Sequence, residues 1–142
     1  MDPDRDQLLS ELFDADLPDR THIGLNLISE KIIGGAFKVG NSLGCGFLEK
    51  VYENALAYEL IKMGLAVSQQ QNIVVTYEGI EVGKYEADLV VEGQVLVELK
   101  AVRDMNDIHK AQCINYLRAT GLKLCLLINF GNPRVEIKRI VL

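Results

Sequence analysis

The spacing of the hydrophobic residues changes along the chain, and each change predicts a different kind of element. Between residues 21 and 39 apolar side chains recur at helical spacing, with Thr21 placed as an N-cap. The glycine-rich stretch GNSLGCG interrupts this pattern, and residues 47–64 then resume it until Gly64 provides a stop. The first half of the chain is therefore predicted to contain two helices.

The middle of the chain has a composition typical of strands. Residues 66–102 are rich in Val and Ile and are interrupted by three glycines, which predicts three or four antiparallel strands. Residues 104–121 return to helical spacing, with Asp104 or Asn106 as the N-cap and Gly121 as the stop. A third helix is therefore expected after the strands.

The chain ends in two further predicted strands, residues 122–131 and 134–142. With 142 residues and no internal repeat, this order predicts one α/β (α+β) domain over residues 21–142, in which helices pack on a mixed sheet. Residues 1–20 are rich in Asp and are interpreted as an acidic N-terminal leader.

Composition narrows the function classes. No window approaches the ~18 uninterrupted apolar residues of a membrane span, and the acidic N-terminus lacks the order of a signal peptide, so a cytoplasmic protein is expected. The net charge of −5 does not favour nonspecific binding of nucleic acid, so any contact with DNA or RNA would have to be local. The three cysteines and two histidines have no zinc-site spacing, and the cysteines are expected to be reduced, small apolar residues.

Asp88, Glu98 and Lys100 lie among the apolar residues of a predicted hairpin, YEADLVVEGQVLVELKAV. A two-residue turn would place Asp88 and Glu98 on opposite faces, because side chains alternate along a strand. A three-residue loop over residues 91–93, with Gly93 in the left-handed conformation, places Asp88, Glu98 and Lys100 on one face. The other face is then apolar or small, Ala87 included, so the odd-length loop is favoured.

Two carboxylates beside a lysine suit a hard divalent cation such as Mg²⁺ or Mn²⁺, which takes oxygen ligands and keeps waters for a phosphate substrate. The lysine could position or help deprotonate an attacking water. The E-x-K spacing alone fits a cross-strand salt bridge more simply, so other residues have to decide between the two interpretations.

Further polar residues on the helices could complete a site. Glu49 lies at the edge of the apolar stripe near the start of the second helix, where it could equally complement the helix dipole. On the third helix, His109, Gln112 and Tyr116 fall at i, i+3 and i+7 and form one polar stripe. This stripe could line a site or could be satisfied inside the fold.

Several blocks of the chain resemble one known family. GFLEKVY, residues 46–52, resembles the G-x-x-E-x-x-Y signature of the GxxExxY protein family, and ADLVV…VELKAV, HKAQCINYLRATG and LLINFGNPRVEIKRIVL resemble its remaining blocks in order. That family is placed in the PD-(D/E)XK nuclease superfamily, whose RecB-like and restriction-endonuclease-like members have a mixed central sheet flanked by helices. The resemblance covers residues 23–142.

The resemblance implies specific roles. Asp88 would be the aspartate of the motif, with Ala87 in place of proline, and Glu98 and Lys100 would be the E-x-K pair. The carbonyl of Leu99 could add a metal ligand, and Glu49 would match the helical glutamate of the acidic cluster.

Substrate-facing residues are implied in the same way. Gln112 and Tyr116 would match the Q-x-x-x-Y motif beside the phosphate, and His109 and Tyr52 are further candidates for contact with the substrate. Glu86 lies where many relatives have a basic residue, and it adds negative charge near the phosphate.

The resulting expectation is a nuclease dependent on Mg²⁺ or Mn²⁺ that hydrolyses phosphodiester bonds of DNA or RNA. Two alternatives remain at this point: a noncatalytic interaction module that retains the fold, and a subunit that is active only with a protein partner or as a homo-oligomer. Membership of a fold family does not by itself establish activity.

Overall fold

The computed structural model describes residues 21–142, and it describes side chains from residue 24 onward. The predicted leader, residues 1–20, lies outside the described residues. The helices and strands run in the order α1 (Thr21–Leu43), α2 (Glu49–Lys62), β1 (Val67–Tyr77), β2 (Ile80–Val91), β3 (Val95–Lys100), α3 (Asp107–Thr120), β4 (Leu124–Asn129) and β5 (Glu136–Val141).

The five strands form one mixed sheet in the order β1-β2-β3-β4-β5. Strands β3 and β4 pair in parallel, and every other neighbouring pair is antiparallel. A parallel pair needs a crossover connection, and α3 provides it. The predicted fold class, a mixed sheet flanked by helices, is confirmed.

Each face of the sheet buries a separate apolar cluster. Helices α1 and α2 cover one face, where Val97, Leu99 and Leu126 point toward them. Helix α3 covers the other face, where Leu96 and Leu127 contact it. Each fully buried Leu or Val of this kind contributes about 1.5–3 kcal/mol relative to exposure, so the two clusters fix the strands that carry the charged residues.

Two boundaries of the helices follow from packing and capping. Helix α1 continues four residues past the predicted end at Val39, and it passes through Gly40, where a Cβ would lie 2.3 Å from Val135 Cγ2. Asn106 is the N-cap of α3, and Gly121 ends that helix with φ 75°, as predicted for the glycine. Among the described helices, none combines the length and apolarity needed to cross a bilayer.

The β2–β3 loop has three residues, as predicted, but it lies one residue further along the chain. Val91 pairs with Val95, so the loop comprises residues 92–94 and begins one residue later than predicted. Gly93 is left-handed at φ 61°, as predicted, and Glu92 is left-handed too at φ 55°. Since the loop still has three residues, its parity is the one expected.

Ala87 lies on the opposite face from the one predicted. It packs with Val90 and Leu96 beneath α3, whereas Leu89 points toward α1 and α2. The alternation of side chains changes at Asp88, where the regular pairing of β1 with β2 passes over Gln70, a residue in the left-handed region with φ 51°. A local irregularity of this kind redirects the neighbouring side chains.

The cysteines are free in the structure, but their environments differ. Cys113 and Cys125 are buried in the cluster beneath α3, as expected of small apolar residues. Cys45 lies exposed in the connection between α1 and α2.

The chain just after β3 is held by a buried amide. The fully buried Asn129 accepts a hydrogen bond from the Val102 N–H at 3.0 Å and donates one to the Val102 carbonyl at 2.8 Å. Gly131 packs against the same segment, and a Cβ there would lie 2.0 Å from the Val102 carbonyl oxygen. These contacts fix the backbone beyond Lys100, the last residue of β3.

Replacing Gly131 should therefore be costly. We expect Gly131→Ala to lower the free energy of unfolding by about 2–4 kcal/mol, because the added methyl group meets backbone atoms that cannot rotate away. The matched control is Gly24→Ala in α1, where a Cβ meets nothing within 4 Å and helix propensity favours alanine. Urea unfolding of both variants checks this, and equal midpoints would contradict it.

Candidate metal and nucleic-acid site

The candidate site lies where β2 separates from β3. The two strands pair only between residues 89–91 and 95–97. The part of β2 that precedes Leu89 in the sequence pairs with β1 alone. At this fork the Leu99 N–H donates to Asp88 Oδ2 at 2.8 Å, and the Asp88 N–H donates to Glu98 Oε1 at 3.3 Å. Each carboxylate thus accepts a backbone hydrogen bond from the other strand, which fixes both side chains.

Burial changes the protonation of both carboxyl groups. Glu98 is 3% exposed, and its burial, followed by the charge of Asp88, raises its pKa to about 9. Burial also raises the pKa of Asp88, with further contributions from the charges of Glu53 and Glu49, against the hydrogen bonds from Leu99 and Gln70. Two carboxylates held this close disfavour simultaneous ionisation unless a cation compensates them.

Lys100 lies beside this pair, at the end of the same strand. It is half-buried and pairs in parallel register with Asn129, whose side chain holds the following segment. The positive charge of Lys100 acts to lower the pKa of Glu98, although burial outweighs it. The predicted hairpin charges Asp88, Glu98 and Lys100 are therefore within electrostatic reach of one another.

Glu53 is a member of the site that sequence reasoning missed. It is 3% exposed on α2, and its carboxylate accepts hydrogen bonds from Gln69 Nε2 at 2.7 Å, Gln70 Nε2 at 2.5 Å and Lys50 Nζ at 2.9 Å. Gln70 Nε2 also reaches Asp88 Oδ1 at 3.4 Å, so one amide bridges the two acids. The available signal was a charged residue between the buried Tyr52 and Leu56 on a helix face.

Glu49, the predicted helical acid, is the exposed first residue of α2. Its charge contributes to the raised pKa of Asp88, which places it in the same electrostatic environment. Helix α2 therefore carries two acids, one turn apart, whose charges act on Asp88, and Glu53 is held by its partners whereas Glu49 is open to solvent.

Helix α3 brings Gln112 and Tyr116 to the other side of the fork. Gln112 Nε2 donates to the Tyr116 hydroxyl at 2.7 Å, and the buried Tyr116 ring lies 5.6 Å from the exposed Tyr85 ring. Burial raises the pKa of Tyr116, and the charges of Glu98, Tyr85 and Asp88 add to this. Tyr116 therefore lies within electrostatic range of the two carboxylates, and Gln112 is bonded to it.

His109 and Tyr52 have structural partners. The Asn106 N–H donates to His109 Nδ1 at 3.3 Å, and Asn106 Oδ1 accepts from the Ile108 and His109 N–H groups, which forms the capping box of α3. The Tyr52 hydroxyl donates to the Gly44 carbonyl at 2.6 Å and accepts from the Phe47 N–H at 3.2 Å. Both side chains hold elements that border the site.

The donor set has the chemistry of a hard-cation site. Asp88 and Glu98 offer carboxylate oxygens and Leu99 a backbone carbonyl, and oxygen donors of this kind are those that Mg²⁺ accepts, with waters completing its shell. Among the described residues, no group of three His, Cys, Asp or Glu side chains is arranged to hold a metal ion. The oxygen donors that could hold such an ion at the fork therefore include Asp88, Glu98 and the Leu99 carbonyl.

Comparison with known sequences identifies the family. The sequence profile of the PD-(D/E)XK nuclease superfamily matches residues 26–140. The chain belongs to this superfamily. Asp88, Glu98 and Lys100 lie within the matched range, as does every other candidate residue. The narrower likeness to the GxxExxY family remains a resemblance.

One solved structure shares the fold of this PD-(D/E)XK superfamily member, and a second gives a weaker superposition. The crystal structure of SSO0001 superposes with a TM-score of 0.52 at 15% identity, covering 96% of this chain and 74% of the other. An alkaline exonuclease from Laribacter hongkongensis gives a TM-score of 0.40 at 16% identity, covering 89% of this chain and 71% of that one. The search of curated proteins found no match.

Proposed function

We propose that this protein is a divalent-metal-dependent nuclease that hydrolyses phosphodiester bonds of DNA or RNA. The observation that carries the proposal is the reciprocal bonding at the fork, where Asp88 accepts from the Leu99 N–H and Glu98 accepts from the Asp88 N–H. This bonding holds two carboxylates together, two residues before Lys100 on the same strand, in a fold whose superfamily is one of nucleases.

The residues divide into holding and reacting groups. Asp88, Glu98 and the Leu99 carbonyl would hold Mg²⁺ or Mn²⁺, and Glu49 would add an open carboxylate from α2. When bound, such an ion supplies Lewis-acid stabilisation of charge on the phosphate oxygens and the attacking water. Glu53 would act through Gln70, which it keeps in contact with Asp88.

Lys100 would orient the attacking water and offset charge that develops on the phosphate. Gln112 and Tyr116 would contact the substrate beside the scissile phosphate. His109 and Tyr52 would contribute by holding the start of α3 and the loop before α2 in place, since their polar atoms already bind the backbone.

A cleavage assay tests the proposal. Labelled single-stranded, duplex and flap DNA and single-stranded RNA would be incubated with Mg²⁺, Mn²⁺ or EDTA. We expect cleavage with metal and none with EDTA, and a loss of about 100-fold in kcat for Lys100→Ala, in line with the removal of one positioned catalytic group.

The matched control is Lys84→Ala, an exposed lysine that pairs with Glu81 in the β1–β2 hairpin. Cleavage that persists in EDTA, or equal rates for the two lysine variants, would contradict the proposal. Metal binding without cleavage of any substrate would instead support the noncatalytic module or the partner-dependent subunit.

A further inference from the structure

A groove of about 770 Å³ runs between the β1–β2 hairpin and α3. Its hairpin wall includes Val74 and Tyr85, and its helix wall includes Ile108, Asn115 and Arg118. Volumes of 300–1,000 Å³ are typical of sites that enclose a small organic molecule, which is the size range of one or two nucleotides and far below that of a duplex.

The groove presents flat and apolar surface to solvent. Val74 is 42% exposed, Tyr85 is 52% exposed and Ile108 is 76% exposed, so large apolar groups remain in water on both walls. Tyr85 is tilted by 46° against Tyr116, and the buried Tyr116 ring supports it from behind. A supported, exposed aromatic ring is the kind of platform on which an unpaired base stacks.

The charge of the groove differs from that of the rest of the molecule. Of the described residues that line it, Arg118 alone is charged, although the whole chain carries a net charge of −5. The amides of Gln112 and Asn115 supply both donors and acceptors, which suits the edge of a base. A guanidinium beside them suits a phosphate.

Tyr116 links the groove to the candidate metal site. Gln112 and Tyr116 line the groove and are bonded to each other, and the charges of Glu98 and Asp88 act on the Tyr116 hydroxyl. A strand lying in the groove would therefore have the carboxylates within electrostatic range at Tyr116.

We propose that the groove binds an unpaired nucleotide of a single-stranded nucleic acid, with its base stacked on Tyr85 and a phosphate at Arg118. This inference rests on the proposed nuclease function and specifies its substrate as unpaired strands. A paired base cannot present its face to Tyr85, so the groove discriminates against an intact duplex. DNA and RNA share the chemistry of base face and phosphate, and the test separates them.

Fluorescence anisotropy tests the groove through binding alone. The probes are labelled oligothymidylate and oligouridylate of about 12 nucleotides, within the site sizes of single-strand binders, and a DNA duplex of equal length. Measurements are made with the full chain in Ca²⁺, which takes the same oxygen ligands as Mg²⁺, and gels confirm that the probes remain intact.

We expect Tyr85→Ala to raise the Kd for the single strands about 5- to 50-fold, the loss expected for one base stack, and to change the duplex Kd less than about twofold. Tyr85→Phe keeps the ring and should stay within about twofold of the native protein. Arg118→Ala should weaken binding, and the slope of log affinity against log salt concentration should fall by about the amount that one phosphate contact contributes. Tyr77→Ala, at the end of β1 and 66% exposed, is the control that should change nothing.

The outcomes separate the groove from the nuclease. If single strands bind through Tyr85 but are not cleaved, the nuclease proposal fails and the nucleotide-binding proposal for the groove stands. If single strands are cleaved with the same kcat/KM in Tyr85→Ala as in the native protein, the proposal for the groove fails and the nuclease proposal stands. The proposal for the groove also fails if single strands do not bind or if Tyr85→Phe loses as much affinity for them as Tyr85→Ala. It fails as well if Tyr85→Ala loses as much affinity for the duplex as for the single strands.

Discussion

Asp88→Asn is expected to reduce kcat/KM for phosphodiester cleavage about a thousandfold, or ~4 kcal/mol of transition-state stabilisation. Asp88 combines two roles at the fork, since Oδ2 accepts from the Leu99 N–H at 2.8 Å while Oδ1 lies near Gln70 Nε2. Asparagine can preserve an acceptor for the Leu99 N–H, so the fork should remain folded. The loss then reports the missing negative charge rather than a collapsed site.

The same variant should lose its response to metal. A ligand that binds only the native state stabilises it by about 2.7 kcal/mol at 100 times its Kd, so Mn²⁺ should raise the Tm of the native protein and leave Asp88→Asn unchanged. Asp104→Asn, an exposed aspartate in the loop after β3, is the matched control and should respond like the native protein. A Tm response retained by Asp88→Asn would remove Asp88 from the metal site.

The parity of the charged hairpin was predictable because it depends on a local rule. Because side chains alternate along β2 and β3, an odd or an even loop length gives only two arrangements of the charges. The arrangement with Asp88, Glu98 and Lys100 on one face leaves the other face apolar for the core, so the sequence pattern favours it. The stop of α3 at Gly121 was predictable for a similar reason, and the N-cap was limited to Asp104 or Asn106, since caps act within a few residues of their own position.

Tertiary contacts explain what the sequence could not indicate. Gly40 lies inside helix α1 and packs against Val135, a residue 95 positions along the chain, and the local sequence does not indicate that contact. Gln70 stands in a run of three glutamines, and nothing in that run marks the left-handed residue that bridges Glu53 and Asp88. The bridge exists only once α2 and β1 are packed together.

Tertiary packing also explains why the sequence indicated Glu49 and not Glu53 as the acid on α2. Both lie one helical turn apart on α2, and the family signature draws attention to Glu49. Burial distinguishes them, since Glu53 is 3% exposed and bound by three donors, whereas Glu49 lies at the exposed start of the helix. The difference in burial between Glu49 and Glu53 arises from packing, which the signature does not contain.

The Glu98 carboxyl should make the protein less stable while making it active. Its pKa is about 9 in the folded protein and 4.5 in a solvated carboxyl, so the unfolded chain ionises it over a range in which the folded protein keeps the proton. A raised folded-state pKa contributes stability that is fully present below pH ~4.5 and is lost as pH rises toward ~9. Native stability attributable to Glu98 should therefore fall across this window in EDTA.

Glu98→Gln removes this titration. At pH 8 in EDTA we expect the variant to be more stable than the native protein by about 2–5 kcal/mol, or a Tm higher by about 5–15 °C, and we expect the difference to vanish near pH 4.5. Glu30→Gln on the exposed surface of α1 is the control and should show no such trend. Urea unfolding at several pH values measures both.

Glu98→Gln should raise stability in EDTA and lower the cleavage rate. Cleavage should fall as far as it does in Asp88→Asn. Mn²⁺ should stabilise the native protein and not the variant, because binding a cation requires the ionised carboxylate. A stable but inactive variant would show that the buried acid is retained for chemistry at the expense of stability. A variant less stable than the native protein at pH 8 would instead mean that Glu98 is ionised and compensated within the fold, which would contradict the raised pKa.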